Sequence, residues 1–387
     1  MLIAFTLLLS LSACKQQRME DAQPIDDVTA TTDYYQGTPL KVAVIGLVHT
    51  HVHWILGREK WGDIEIVGIV EPNRELAQQY SEQHGYSMDI VFDSMDALYE
   101  QVKPEAVTAF NTIYDHLQVV RFFAPKGVHV MVEKPLAVNW EHAQQMALLA
   151  KTHGIALLTN YETSWYGSNQ KAYEWVNKEH KIGAIQRMVF HHGHPGPEEI
   201  GVNSEFLEWL IDPVQNGGGA LTDFGCYGAN LATWFLNGKT PNTVTAITRQ
   251  YKPERYPQVE DDATIILDYE TTQVIIQASW NWSHNRKDME IYGKTGYVHC
   301  FDGTAMAFLE NESEGVKNSN ADALPMGLHD PFAFLNQIVS KGYQEPRFGV
   351  SSLENNLITM QILEAAKASA EMGRSIDWNT FFGINAP

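Results

Sequence analysis

Val128-His129-Val130-Met131-Val132-Glu133-Lys134-Pro135 is an apolar run that ends abruptly in a charged pair and a proline. Rich in valine and bracketed by Gly127 and Pro135, it reads as a buried parallel strand rather than a turn of helix. Open α/β sheets bind their ligands beyond the carboxyl ends of such strands. The residue before a proline is biased towards extended backbone, so Lys134 is placed to carry a compact positive charge into that crevice.

Working outward, the same rhythm continues on both sides. Leu40-Lys41-Val42-Ala43-Val44-Ile45-Gly46 is a strand with a glycine at its carboxyl end, followed by helical character from His51 to Arg58. Ile64 to Val70 is a second strand ending in Glu71, and Asn73 caps a helix to His84. A weak strand near Ile90, a helix from Met95 to Gln101, a strand from Ala106 to Phe110 and a helix from Asp115 to Pro125 lead into Val128. Asn139 then caps a helix to His153, before a strand from Ile155 to Thr159. Strands alternating with helices over short connections predict an α/β fold, with a Rossmann-like doubly wound parallel sheet in residues 39–160.

Beyond Asn160 the pattern changes. A strand from Ile185 to His191, a long loop reaching Gly217-Gly218-Gly219, and a helix from Ala220 to Leu236 precede a succession of strands between Val244 and Phe301. Their alternation and glycine-bearing turns predict an α+β domain over 161–387, with a large, mostly antiparallel sheet open on one face.

The composition is that of a globular chain, 44% hydrophobic and 19% charged in 387 residues. A net charge of -20 argues against nucleic acid or an anionic membrane surface as a partner. The amino terminus is a separate module. Leu2 to Ala13 is uncharged and apolar, too short to span a bilayer, and ends Leu11-Ser12-Ala13-Cys14. This resembles the lipobox of bacterial lipoproteins, which implies a signal peptide over 1–13, lipidation of Cys14 and export to the periplasmic or cell-surface face of a membrane. Residues 14–38 are polar and read as a flexible tether. Cys226 and Cys300 have no metal-like spacing and read as small core residues.

The first strand-to-helix turn is where a dinucleotide pyrophosphate would meet free N–H groups. Only the first glycine of Gly-x-Gly-x-x-Gly stands in Gly46-Leu47-Val48-His49-Thr50-His51. Val48 and His51 replace the other two, leaving N–H groups and Thr50 to contact phosphate. Glu71 is placed to accept from an adenosine ribose and favours NAD over NADP, whose extra phosphate it would repel.

Taken with Glu133-Lys134-Pro135, the run Gly217-Gly218-Gly219-Ala220-Leu221-Thr222-Asp223-Phe224-Gly225-Cys226-Tyr227 resembles the glucose-fructose oxidoreductase / inositol dehydrogenase / rhizopine catabolism (Gfo/Idh/MocA) family, from about Leu40 to Ile376. Asp223 and Tyr227 match the Tyr variant of its Asp-x-x-x-His motif. His116 matches the histidine after the fourth strand, with Asn111-Thr112 where the family has Thr-Pro. The resemblance implies a nicotinamide cofactor held by Gly46, Val48, His49, Thr50, His51, Glu71, Asn111, Thr112, His116, Glu133 and Lys134. It also implies homo-oligomers formed through the open sheet face.

Chemically, removing a hydroxyl proton during hydride transfer suits Tyr227, if a nearby Lys134 cation lowers its pKa. Asp223 and Tyr227 are four residues apart, on one face of a helix, and Asp223 would orient the substrate or the lysine. Tyr161, Trp165, His191 and His194, at strand ends in the second half, are expected to edge a carbohydrate site. Neither His49, His51 and His53 nor His191, His192 and His194 has a carboxylate or thiolate at familiar spacing, so no metal is expected. The expected function is an NAD(P)-dependent oxidoreductase acting on a hydroxyl of a sugar, glycoside or cyclitol, with bound NAD recycled in place. The alternative is a cofactor-free carbohydrate-binding lipoprotein.

Overall fold

The structure is a computed structural model describing residues 37–383. The apolar leader, Cys14 and most of the tether lie outside the described residues. The first sheet contains β1 (Leu40–Ile45), β2 (Ile64–Val70), β3 (Val91–Phe92), β4 (Ala106–Ala109), β5 (His129–Glu133) and β6 (Leu157–Asn160). All are parallel, in the order β3-β2-β1-β4-β5-β6. The connecting helices are α1 (Val52–Leu56), α2 (Arg74–His84), α3 (Met95–Val102), α4 (His116–Phe123) and α5 (Trp140–His153). Asn73 caps α2 by accepting from Glu75 and Leu76 N–H, and Asn139 caps α5 through His142 N–H. The order reverses at β1, between β2 and β4, so the crevice for ligands opens beyond β1, β4 and β5.

The second sheet takes up β7 (Ile185–Gly193), β8 (Thr243–Arg249), β9 (Asp262–Asp268), β10 (Gln273–Ser279), β11 (Arg286–Gly293), β12 (Tyr297–Cys300), β13 (Ala305–Leu309), β14 (Lys317–Asn320) and β15 (Ile376–Asp377). Their order is β14-β13-β12-β11-β7-β10-β9-β8-β15, and the pair β10 with β7 is parallel. Three further helices precede and join these strands: α6 (Gly167–Tyr173), α7 (Ser204–Leu210) and α8 (Ala220–Phe235). All of α8 is buried, as expected of a helix apolar on every side. At Gly228 a Cβ would lie 2.7 Å from Ile276, so glycine is what lets α8 approach β10. Two helices follow, α9 (Pro331–Lys341) and α10 (Leu353–Met372). While α10 packs on α8 and β8, α9 returns to the first sheet, where Phe332 and Leu335 join Leu40, Val42 and Val44 in one buried cluster. The first layer therefore draws on more than residues 39–160. Among the described residues no helix is long and apolar enough to cross a membrane, and Cys226 and Cys300 are buried free thiols.

Candidate active site

Lys134 leaves the end of β5, with the Lys134–Pro135 peptide bond cis, and meets Asp223 in the first turn of α8. Its Nζ contacts Asp223 Oδ1 and donates to the Asp223 carbonyl at 3.2 Å. The other carboxylate oxygen accepts from Trp280 Nε1 at 2.9 Å. Both charges are buried, which disfavours them, yet each sustains the other: Lys134 stands above its ordinary range and Asp223 below its own. Helix α8 also favours a carboxylate in its first turn.

One turn further along α8, Tyr227 faces the same cavity, of about 380 Å³. Lys134 Nζ lies 5.3 Å from the centre of its ring and Lys287 Nζ 5.5 Å. The expectation of a lowered phenol pKa is reversed. Burial pushes Tyr227 well up, and Glu162, Cys226, Asp223 and Glu133 push in the same direction. Lys134 turns its charge to Asp223, leaving Tyr227 a neutral phenol. His194 also lines the cavity; its Nδ1 accepts from Gly196 N–H at 3.0 Å, so in the neutral ring Nε2 carries the proton. Burial holds that ring down to about 4.

The turn after β1 is filled. Gly46 has φ +80°, and a Cβ there would come within 2.8 Å of Asn111, so this glycine is required by conformation and by space. Leu47 N–H donates to Glu71 Oε2 at 3.0 Å, His49 N–H to Phe110 O at 2.9 Å and His51 N–H to His49 Nδ1 at 3.1 Å. Helix α7 lies over this turn: Trp209 Nε1 donates to Val48 O at 3.3 Å, and His49 meets Phe206 edge-on at 4.9 Å. Tyr80 on α2 fastens α7, donating to Glu205 at 2.5 Å and accepting from Asn203 at 2.8 Å. Polar atoms without a protein partner nonetheless remain. Thr50 Oγ1, Asn111 Oδ1 and His116 Nε2 are buried and unpaired, a condition buried polar groups rarely keep without a ligand or water. Glu71 also accepts from Asn73 N–H at 2.8 Å, and a carboxylate has room for further donors. The residues thus fit a dinucleotide, with fewer free N–H groups than an intact glycine motif would offer.

Several expected residues stand elsewhere. Tyr161 is fully buried behind Tyr227, ring centres 5.4 Å apart, and does not line the cavity. His191 points to the opposite face of β7, where Nδ1 bonds Asp288 at 2.8 Å, because neighbouring residues on a strand alternate sides. Trp165 lines an adjoining cavity instead. Thr112 bonds Asp115 at 2.9 Å. Glu133 turns away from the crevice, between His51 Nδ1 at 2.9 Å and Asn160 Nδ2 at 2.7 Å. His49, His51 and Glu133 each bring one ligand-type atom within 4.8 Å of the others; the carboxylate arrives from β5, which no local spacing reveals. Within the group, Glu133 bonds His51 Nδ1 and Asn160 Nδ2, and His49 Nδ1 accepts from His51 N–H.

Sequence reasoning missed Glu162 and Lys287, an ion pair across the cavity, where the Tyr166 hydroxyl also donates to Glu162 at 2.6 Å. Glu162 follows the end of β6 as Lys134 follows β5, so the same strand-end rule would have found it. Lys287 sits opposite His192 across two antiparallel strands, a pairing that no sequence pattern marks.

Compared with known proteins, residues 40–161 match the model of an oxidoreductase family with an NAD-binding Rossmann fold, and residues 169–299 match the GFO/IDH/MocA C-terminal domain. The 1,5-anhydro-D-fructose reductase of Ensifer adhaerens is 25% identical over 48% of this chain and 53% of the relative. The D-glucoside 3-dehydrogenase of Escherichia coli (strain K12) is 27% identical over 54% of this chain and 57% of the relative. The chain spans little more than half the length of these two relatives. Among solved structures, aldose-aldose oxidoreductase from Caulobacter crescentus, complexed with glycerol, aligns at TM-score 0.70 and 21% identity over 88% of this chain and 99% of that one. An inositol dehydrogenase homologue from Azotobacter vinelandii, complexed with NADH and myo-inositol, aligns at 0.73 and 16% over 88% and 98%. At such identities the likeness is one of fold.

Proposed function

The chain belongs to the GFO/IDH/MocA oxidoreductase family, and on that premise we propose that it oxidises or reduces a hydroxyl-bearing carbon of a sugar, glycoside or cyclitol, using an NAD held through the whole cycle. The observation that carries this reading is the buried Lys134–Asp223 pair beneath Tyr227 in one cavity. The nicotinamide group, when bound, supplies or accepts the hydride. Tyr227, neutral in its buried setting, donates its proton to the oxygen of a carbonyl being reduced, and Lys134 stabilises the negative charge that develops there. In the oxidative direction the path runs in reverse: Tyr227 must first release its proton to solvent, against the burial and the neighbouring carboxylates that hold it neutral, before it takes the proton of the substrate hydroxyl. Asp223 fixes Lys134 and accepts from a substrate hydroxyl. Thr50, Asn111 and His116 are the residues that would hold the cofactor beyond β1 and β4. Glu71 would take the adenosine ribose and disfavour NADP.

Export as a lipoprotein through Cys14 belongs to the same proposal. Free nicotinamide cofactor is scarce outside the cytoplasm, so repeated turnover favours a dinucleotide reduced and reoxidised in place. Such a cycle suits either oxidoreduction between sugars or glycoside cleavage by transient oxidation and elimination. The closure of α7 over the first turn supports a tight hold. Association of copies through the open sheet face, which exposes Ile247 and Tyr292, completes the proposal.

A cofactor-free carbohydrate-binding protein is the second reading, favoured by one observation: imidazoles and protein acceptors occupy the first turn. Heat-denaturing the purified protein and measuring released dinucleotide separates the two. About one NAD per chain is the expected result. No released nucleotide, together with no thermal shift on adding NAD, would leave the binding protein as the better account.

A further inference from the structure

Beside the active-site cavity lies a second one of about 280 Å³, walled by Trp54, Trp165, Tyr166 and Phe332. The two share Glu162 and Tyr166 as a common wall. On its own the second cavity is smaller than the roughly 300–1,000 Å³ typical of a self-sufficient small-molecule site. Because it adjoins the first along Glu162 and Tyr166, it is placed to extend that site.

This cavity is built rather than left over. Trp165 Nε1 donates to Asn160 Oδ1 at 2.9 Å, Asn160 Nδ2 donates to Glu133 Oε1 at 2.7 Å, and Glu133 Oε2 holds His51 Nδ1 at 2.9 Å. His51 in turn stacks on Trp54, ring centres 3.8 Å apart and planes 14° from parallel. One buried carboxylate, next to Lys134 in sequence, thus sets the orientation of both tryptophans. The charges nearby are engaged with one another: Arg58 binds both oxygens of Asp63 at 2.7 Å and reaches Asp330, while Glu162 pairs with Lys287 and Tyr166. What remains open to a ligand is chiefly aromatic surface.

Resting on the sugar-oxidoreductase reading above, we propose that this second cavity receives an aromatic ring joined to the sugar held over Lys134 and Tyr227, so that the substrates are glycosides with an aromatic aglycone. A second sugar ring would bring several hydroxyls into a space whose charged groups are already paired and where, among the described residues, His329 Nε2 is the buried polar atom left without a hydrogen-bond partner, at about 1–3 kcal/mol for each hydroxyl left unsatisfied. An aromatic ring meets no such cost and gains from offset or edge-on stacking.

The test compares kcat/KM for phenyl β-D-glucopyranoside, methyl β-D-glucopyranoside and cellobiose in the full chain with its bound cofactor, and then in Trp165→Ala and Trp165→Phe. The expected preference for phenyl over methyl glucoside is about tenfold, the upper end of what ring stacking supplies. It should collapse in Trp165→Ala, chiefly through KM, and survive in Trp165→Phe. Equal turnover of phenyl and methyl glucosides, a preference for cellobiose, or an unchanged ratio in Trp165→Ala would overturn the proposal. Should none of the three be turned over, the oxidoreductase reading fails for glucosides. Binding then decides the cavity: tighter binding of phenyl than of methyl glucoside by tryptophan fluorescence, lost in Trp165→Ala, upholds it, and equal binding rejects it.

Discussion

Lys134 with Asp223, and the turn Gly46 to His51, line the same cavity and are built in opposite ways. The pair brings together two opposite charges from distant parts of the chain and satisfies each with the other and with Trp280. The turn crowds neutral imidazoles into a place where a bare backbone would meet phosphate, and uses its N–H groups on protein acceptors. Under the proposed function the difference separates two tasks. Chemistry needs a charge whose position and protonation state do not change, and a mutually buried pair provides it. Holding a dinucleotide tolerates substitution at the turn as long as neighbouring segments take over the grip, and α7 is the segment that covers it here.

The largest effect should come from breaking the pair. Lys134→Ala is expected to lower kcat by about 10²–10⁴, the range for losing a positioned proton-transfer partner. It also strands the Asp223 carboxylate, and breaking a buried ion pair costs about 3–5 kcal/mol, so the thermal midpoint should fall with the activity. Lys134→Met should restore part of the packing without the activity. Stopped-flow reduction of the bound dinucleotide at saturating glycoside reads the first effect and calorimetry the second. Undiminished hydride transfer in Lys134→Met would show that the floor of the cavity is not where the chemistry occurs.

The same contrast explains what the sequence discloses. Lys134 and Asp223 are legible because each follows a local rule, a charge at the end of a buried parallel strand and a carboxylate opening a helix after three glycines. The fold is legible for the same reason, since alternation of strands and helices is a local pattern. The first turn reads as a damaged motif because what completes it is remote: Phe206 and Trp209 lie more than a hundred residues away in the chain, and the carboxylate beside His51 comes from β5. His191 was misplaced because a single step along a strand exchanges its two faces. Tyr227 sits where the motif puts it, but its pKa is raised by burial and then by remote carboxylates, Glu162 from beyond β6 and Glu133 from behind the cavity at the end of β5.

Protonation sharpens the comparison, with an intermediate effect. Burial, reinforced by the Lys134 charge, holds His49 well below 6.5 and His51 down to about 3. An unfolded chain takes up protons near pH 6.5 that these rings refuse in the fold. Their contribution to stability is therefore complete above that pH and lost as the pH falls towards the folded values, by up to about 1.4 kcal/mol per pH unit for each ring. The ion pair behaves otherwise. Burial opposes both charges, but Lys134 holds Asp223 below 3.8 and Asp223 holds Lys134 above 10.5. Asp223's contribution is present above 3.8 and Lys134's below 10.5, so neither changes between pH 5 and 7. Urea midpoints across that interval should fall less steeply in a His49→Leu/His51→Gln variant than in the native chain. Lys134→Met should start lower and fall less steeply than the native chain, because Asp223 without its cation is pushed up by burial and binds a proton more readily in the fold than in the unfolded chain. Equal slopes in the native chain and the histidine double variant would mean that the imidazoles of the turn are not held neutral by the fold.

The smallest effect concerns the grip over the turn. Tyr80 hydroxyl joins α2 to α7 through two hydrogen bonds, to Glu205 and from Asn203, and touches neither Lys134 nor Tyr227. Net hydrogen bonds of this kind contribute about 0.5–1.5 kcal/mol each, and Tyr80→Phe removes both while keeping the ring that packs against His53. If α7 retains the dinucleotide by covering the turn, its escape on dilution should quicken by about two- to tenfold, whereas reduction of dinucleotide still bound should keep its rate. Trp209→Phe, which deletes the donor to Val48 O, should act in the same direction. A loss of the bound-state rate with unchanged escape would place α7 with the catalytic floor instead, and the division between a fixed chemical pair and a separately held cofactor would no longer stand.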